Sequence, residues 1–429
     1  MKPSLAVVIC NYNKIEYLKG CLDSLWVSKK NWPAMKVFVV DNASQDGSQK
    51  MVQTDYADWV ELIALDTNTG GAGGFSRGMQ AAVASQCEYT ALLDNDILLD
   101  DDTLQTLVSY LQTQPAVGVA GAKICTMDNP DVLQELGAFI DWENYNVSTP
   151  LKGQRDTLSL PATVVCDYVP ACCMVTRTEI VRQVGTFDEA HFIYWDDMDW
   201  CTRVKRAGHE IHAISKARVR HKMGAVNTTN TFSNYYFERN RLRFFAKYLS
   251  QPKFEDLAKH RCHELAQQAF FSARKGVQAQ AISAQLAILD FAAGRWFAQP
   301  EAILEKGQHS FKEYLPDTDA YRVHSHDNEL LMRISAVLED AGGPVVVGSD
   351  TEGEVIGRVL KLEVCEHILS AKSSSDAIID RYLNACMVSD LPALKADYQC
   401  FERVFERVET PVFYRQMMTG YSKLRRETQ

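Results

Sequence analysis

Tyr89-Thr90-Ala91-Leu92-Leu93-Asp94-Asn95-Asp96 joins an apolar run to a cluster of acids. Its first part is a continuous apolar run, the pattern of a strand buried on both faces in a parallel sheet. The run ends in two carboxylates flanking an asparagine. Open α/β sheets bind ligands at the carboxyl ends of their strands, so these acids stand where a ligand would arrive. An Asp-x-Asp offers hard oxygens to a divalent cation, and the cation can hold a diphosphate. Ionised carboxylates so close together repel one another unless a cation or partner lies between them.

Upstream, strand and helix signals alternate. Leu5 to Cys10 is a strand-like run, followed by Leu18, Cys21, Leu22 and Leu25 at helical spacing. Lys36 to Val40 predicts a second strand and Val60 to Leu65 a third. The glycine-rich Gly70-Gly71-Ala72-Gly73-Gly74 opens a helix through about Ala84, with Tyr89 to Leu93 as the fourth strand. Leu98 to Leu111 predicts a helix and Val117 to Ala122 a fifth strand. Such alternation implies an α/β fold with a mainly parallel sheet covered by helices. From Lys123 to Arg220 the pattern breaks into loops and short strands, and beyond Phe244 it is mainly helical, interrupted at Gly342 to Gly348. The boundary is placed near residue 250, giving domains 1–250 and 251–429.

Other polar residues fall at the same strand ends. Cys10-Asn11-Tyr12-Asn13 closes the first strand; it reads as an asparagine-capped helix start, and its amides also suit a base or ribose. Asp41-Asn42 closes the second, where a carboxylate can accept the imide N–H of uracil or thymine, or simply cap a turn. Asn68 leads into the glycine segment. Four glycines in five residues are costly in backbone entropy, which close approach of a ligand near Gly73 and Gly74 would justify. Further on, Trp195-Asp196-Asp197-Met198-Asp199 sets an aromatic beside paired acids, which suggests a sugar platform with a base at its edge. His221 follows another strand, and an imidazole joins carboxylates readily at manganese sites.

Composition narrows the classes. With 45 basic and 55 acidic residues the formal charge is −10, which argues against a protein that binds nucleic acid by phosphate neutralisation. Twelve cysteines contain no Cys-x-x-Cys pair, and several sit in apolar runs, so a reduced cytoplasmic setting is expected. The N-terminus offers no signal-peptide pattern, and no apolar run is long enough to span a bilayer.

Taken together, the first ~250 residues resemble a family 2 glycosyltransferase of the GT-A fold, the nucleotide-diphospho-sugar transferase architecture. The markers run in order: Asn11-Tyr12-Asn13, Asp41-Asn42-Ala43-Ser44, Asp94-Asn95-Asp96, Asp196-Asp197-Met198-Asp199, His221, and Tyr235-Tyr236 through Arg239-Asn240. Gly70 to Arg77 and Trp195-Asp196-Asp197 look most like bacterial galactofuranosyltransferases using UDP-galactofuranose; a rhamnosyltransferase branch using dTDP-rhamnose shares the other motifs.

The resemblance implies inversion at the anomeric carbon and a Mn2+ or Mg2+ cofactor. It implies a donor site of Asn11, Asp41, Asn68, Gly73, Gly74, Asp94, Asn95 and Trp195. Asp94, Asp96 and His221 would form the metal site, Asp197 would be the base, and Asp196 would orient substrate. The expected partners are a nucleotide-sugar donor and a glycan or lipid-linked glycan acceptor in cell-surface polysaccharide synthesis. The C-terminal region could dock on the membrane face or self-associate. A non-catalytic nucleotide-sugar or glycan-binding scaffold would bind UDP without turnover, and a nucleotide-sugar hydrolase would release free sugar whatever the acceptor.

Overall fold

The computed structural model describes residues 2–157, 159–222, 229–307, 310–341, 344–347 and 358–427. The first part alternates as the apolar pattern requires: β1 Leu5–Asn11, α1 Ile15–Lys30, β2 Met35–Asp41, α2 Ser48–Asp55, β3 Val60–Ala64, α3 Gly70–Ala84 and β4 Tyr89–Asp94. There follow β5 Ile97–Leu99, α4 Thr103–Thr113, β6 Val117–Thr126, β7 Leu133–Glu135, β8 Phe139–Asp141, β9 Asn146–Ser148, β10 Thr163–Cys166, β11 Cys173–Arg177 and α5 Thr178–Val184. The domain closes with α6 Asp196–Arg206, β12 Glu210–His221 and α7 Phe232–Tyr248.

One sheet runs in the order β10-β12-β6-β11-β4-β1-β2-β3, with β5 on β12 and β7 on β6. β3, β2, β1 and β4 are parallel; β11 is inserted antiparallel between β4 and β6. Successive residues of β1 serve opposite layers. Leu5, Val7 and Ile9 pack with α1 and α4, while Ala6 and Val8 pack with α3 and α6. Burial on both faces explains why the strands read as unbroken apolar runs. Register brings the polar ends together, with Asn11 opposite Asp41 and Cys10 opposite Asp94.

The C-terminal region is mainly helical: α8 Gln251–Arg274, α9 Ala279–Ala293, then α10, α11 Leu391–Val408 and α12 Thr410–Glu427. It also carries a five-stranded sheet that the helical pattern did not announce, made of β13 Ala320–His324, β14 Val345–Val347, β15 Val359–Cys365, β16 Ala377–Asp380 and β17 Ala385–Met387, with α10 Asn328–Asp340 between β13 and β14. Of the Gly342–Gly348 interruption, residues 342, 343 and 348 lie outside the described residues, and the rest includes β14.

Helices α9 and α12 pack on α7, α8 packs on α9 and α12, and one apolar cluster runs from Ala6 in β1 to Leu424 in α12. Buried ion pairs reinforce the junction: Arg241 of α7 with Glu264 of α8 at 3.0 Å, and Arg261 of α8 with Glu238 of α7 at 2.9 Å.

Candidate active site

At the carboxyl end of β1 and β2, Asn11 and Asp41 are both buried. The Asn11 amide donates to Asp41 Oδ2 at 2.8 Å, while Asp41 Oδ1 accepts from the Ser44 N–H and the Gln49 amide, each at 2.8 Å. Asn95 donates to Asn11 Oδ1 at 2.6 Å, which ties the Asp-x-Asp to β1. The asparagine and carboxylate expected to meet the base are therefore held rigidly by one another, with Asp41 enclosed.

The glycines do something other than the ligand approach expected of them. α3 starts at Gly70 and lies directly on β1 and β2. A Cβ at Gly73 would strike Thr69, and one at Gly74 would strike Cys10 Sγ and stand 2.7 Å from Asn42 Nδ2. Close backbone packing inside the protein, rather than a donor, accounts for Gly73 and Gly74. Gly71 alone in the segment would point a Cβ into open space. Asn68 accepts the N–H of Gly70 at 2.9 Å, shaping the entry to the helix.

Trp195 also departs from expectation. It is wholly buried, its ring centroid 5.0 to 5.5 Å from those of Phe237, Phe244 and Phe245. A sugar platform needs an exposed ring face, and this indole has none. Its backbone matters instead: Phe192, Tyr194 and Trp195 have φ of 66°, 64° and 67°, a costly turn for residues of this size. Arg239 and Asn240 hold that turn. Asn240 Nδ2 donates to the carbonyls of His191, Ile193 and Tyr194, and Arg239 donates to that of His191 at 3.0 Å. The Tyr-Tyr…Arg-Asn segment thus fixes where α6 begins.

Asp196 and Asp197 form the first turn of α6, facing the carboxyl end of β4. Burial pushes Asp196 well above the usual carboxylate range, with repulsion from Asp197 and Asp94 adding to it. Burial pushes Asp197 up to about 6, opposed by hydrogen bonds from the Met198 N–H at 2.8 Å and the Ala171 N–H at 3.4 Å. Asp199 points the other way, into ion pairs with Lys247 at 2.6 Å and Arg203 at 3.0 Å, and is structural.

Burial, then the charge of Asp96, raises Asp94 to about 7. Asp96 Oδ1 lies 3.1 Å from His221 Nε2, and Gln134 Oε1 lies 2.8 Å from Nδ1. Burial pushes His221 down, but Asp96 and Asp94 outweigh it and hold the imidazole above its ordinary value. Two residues missed in the sequence join this group. Glu135, raised to about 8 by burial and then by Asp197, has a buried Oε1 with no hydrogen-bond partner. Cys172 Sγ, an Asp94 oxygen and a His221 nitrogen lie within 4.8 Å of one another. Cys172 carried a signal in its Cys172-Cys173 pairing; Glu135 carried none.

This concentration of acids, with His221 the one imidazole among them, fits a divalent cation. Carboxylate and imidazole donors converge, and burial together with the charge of Asp96 drives Asp94 toward protonation, a strain that a bound cation would relieve.

Residues 3–243 match the model of a family described as Glycosyltransferase like family 2. The rhamnosyltransferase WbbL of Escherichia coli is 24% identical over 222 residues, covering 48% of this chain and 79% of that protein. The galactofuranosyltransferase GlfT2 of Mycobacterium tuberculosis is 24% identical over 213 residues, covering 46% of this chain and 33% of that protein, so the match spans only a third of its length. Among solved structures, a mannosyltransferase of Pyrobaculum calidifontis in complex with GDP-Man and Mn2+ has 17% identity and a TM-score of 0.43, covering 70% of this chain and 78% of that one.

Proposed function

We propose that this chain, which belongs to glycosyltransferase like family 2 and has an α/β domain of the GT-A type followed by a mainly helical region, transfers a sugar, with inversion, from a nucleotide diphosphate to a hydroxyl of a glycan or lipid-linked glycan. One observation carries the proposal: Asp94, Asp96 and His221 converge at the carboxyl end of the sheet, facing a separate pair of acids, Asp196 and Asp197, at the start of α6.

In this reading Asp94, Asp96 and His221 would hold a divalent cation, whose chemistry when bound would be to offset charge on a departing diphosphate. Asn11 and Asp41, braced by Ser44, Gln49 and Asn95, shape the edge against which the base lies, beside Asn68. Asp197 accepts the proton of the acceptor hydroxyl as its oxygen bonds to the anomeric carbon. The bond from that carbon to the diphosphate oxygen breaks on the opposite face, its electron pair leaving with the nucleotide. A base held near 6 is ionised at neutral pH yet still basic enough to take a proton in the transition state. Asp196, the more strongly protonated neighbour, orients a hydroxyl.

UDP-galactofuranose is the proposed donor, supported by the sequence of Gly70 to Arg77 and of Trp195 to Asp197. A second reading, dTDP-rhamnose, gains from the finding that Gly73, Gly74 and Trp195 are turned into the protein, so these three residues of the segments that favour galactofuranose do not select the donor by contact. Residues 1–250 are proposed as the catalytic unit and 251–429 as its buttress and acceptor-side or membrane-side surface. Among the described residues no helix is long and apolar enough to cross a membrane. A panel of UDP- and dTDP-sugars, assayed with and without glycolipid acceptors, tests the reading. Acceptor-dependent transfer is expected. Acceptor-independent release of sugar would make it a hydrolase, and binding without turnover a scaffold.

A further inference from the structure

We propose that Cys172 is a thiolate ligand at the cation site, so that the cleft holds a thiophilic divalent ion such as zinc, cobalt or cadmium more tightly than manganese or magnesium. The proposal rests on the reading of Asp94, Asp96 and His221 as a cation site and adds a donor of different chemistry to it. Cys172 immediately precedes β11, the strand that inserts antiparallel beside β4. The Asp94 N–H donates to the Cys172 carbonyl at 3.1 Å, so the sheet itself fixes the two residues side by side at the strand ends. Cys172 is buried, 4% exposed, and its sulfur, an Asp94 oxygen and a His221 nitrogen gather within 4.8 Å. Thiolate and imidazole ligands sit about 2.0–2.3 Å from a zinc ion, so atoms gathered within 4.8 Å of one another need draw together only modestly to share one.

The imidazole is set for the same purpose. Gln134 Oε1 at 2.8 Å accepts from Nδ1–H, which leaves Nε2 as the atom turned toward the cluster; an ion bound there would displace the proton that Nε2 otherwise shares with Asp96. Asp96, 3.1 Å from Nε2, stands ready to share that ion. A site of carboxylates and imidazole alone suits manganese or magnesium, whereas one thiolate moves the preference toward softer ions. As the sulfur–metal bond forms, the thiol proton passes to solvent, so binding should strengthen with pH.

The test uses the full chain as wild type, Cys172→Ser and Cys172→Ala, each checked for folding by circular dichroism. Cobalt and cadmium are titrated while the thiolate-to-metal charge-transfer absorption is recorded, and cadmium and manganese affinities are measured by calorimetry. Wild type should show the band, and both variants should lose it. Cadmium should weaken by roughly ten- to a hundredfold in the variants, with manganese affected far less. The eleven other cysteines stay in every variant, so the difference spectrum isolates Cys172. Identical bands and cadmium affinities in wild type and variants would overturn the proposal while leaving the cation site intact if manganese still binds. Failure of wild type to bind any of these ions would overturn both.

Discussion

Gly78 in α3 faces β1, and replacing it with alanine tests whether the glycines of this helix serve packing. A Cβ there would collide with Val8 Cγ1, stand 3.2 Å from Val8 Cβ and lie 3.1 Å from Val40 Cγ2. Carbon atoms pack at about 3.5–4.0 Å, and both valines are fully buried. Valine is stiff at χ1, so relief requires an eclipsed rotamer or a shift of α3 away from the sheet. Overpacking of this kind costs about 1–3 kcal/mol, and the severity of the overlap argues for the upper end. Alanine regains about 1 kcal/mol of helix propensity, leaving a net loss of about 2 kcal/mol. Gly71→Ala is the control, since nothing lies within 4 Å of its new Cβ; its stability should match or slightly exceed wild type. Urea unfolding of the two variants reads the difference. Equal stabilities would refute the packing account and return these glycines to the ligand-approach reading.

Asp199→Asn should destabilise the protein by about 3 kcal/mol in the same assay, because it leaves Lys247 and Arg203 facing a neutral group in a site where Asp199 itself is wholly buried. Burial holds His191 at about 4 against an ordinary 6.5. The unfolded chain thus takes up a proton that the folded chain refuses, and the stability tied to this residue is present above pH 6.5 and lost as pH falls toward 4. That amounts to about 3 kcal/mol, and His191→Phe should flatten this part of the unfolding-versus-pH curve; an unchanged slope would contradict it. Asp96→Asn and His221→Ala should each weaken manganese-dependent UDP binding, and the double variant should lose little more than the worse single one, since both serve one ion. Additive losses in calorimetry would separate the two residues.

The sheet was legible because parallel strands buried on both faces must be apolar throughout, which made their polar ends conspicuous. Asn11, Asp41 and Asp94 stand out for that reason, and strand register brings them together. Direction was not legible. Trp195 beside two acids looks like a sugar platform, but three positive-φ residues within four positions, Phe192, Tyr194 and Trp195, decide which way its ring turns, and they turn it inward. β11 is a short strand whose antiparallel insertion no local pattern announces, and Cys172 reaches the site only through that insertion. Glu135 sits at the end of a three-residue strand, too short for an alternation pattern to show. The C-terminal sheet was hidden likewise, its strands three to seven residues long among far longer helices.

If Asp197 is the base of a sugar transfer, its loss will show in single-turnover transfer by wild type and Asp197→Asn, using whichever donor the panel selects and with UDP binding measured alongside. The amide keeps the shape of the carboxylate and removes a buried charge beside Asp196, so folding and UDP affinity should stay close to wild type. The transfer rate should fall by about 10²–10⁴-fold, the usual contribution of a general base. Near-native transfer by Asp197→Asn, with Asp196→Asn inactive, would contradict the account and move the base to the neighbouring residue.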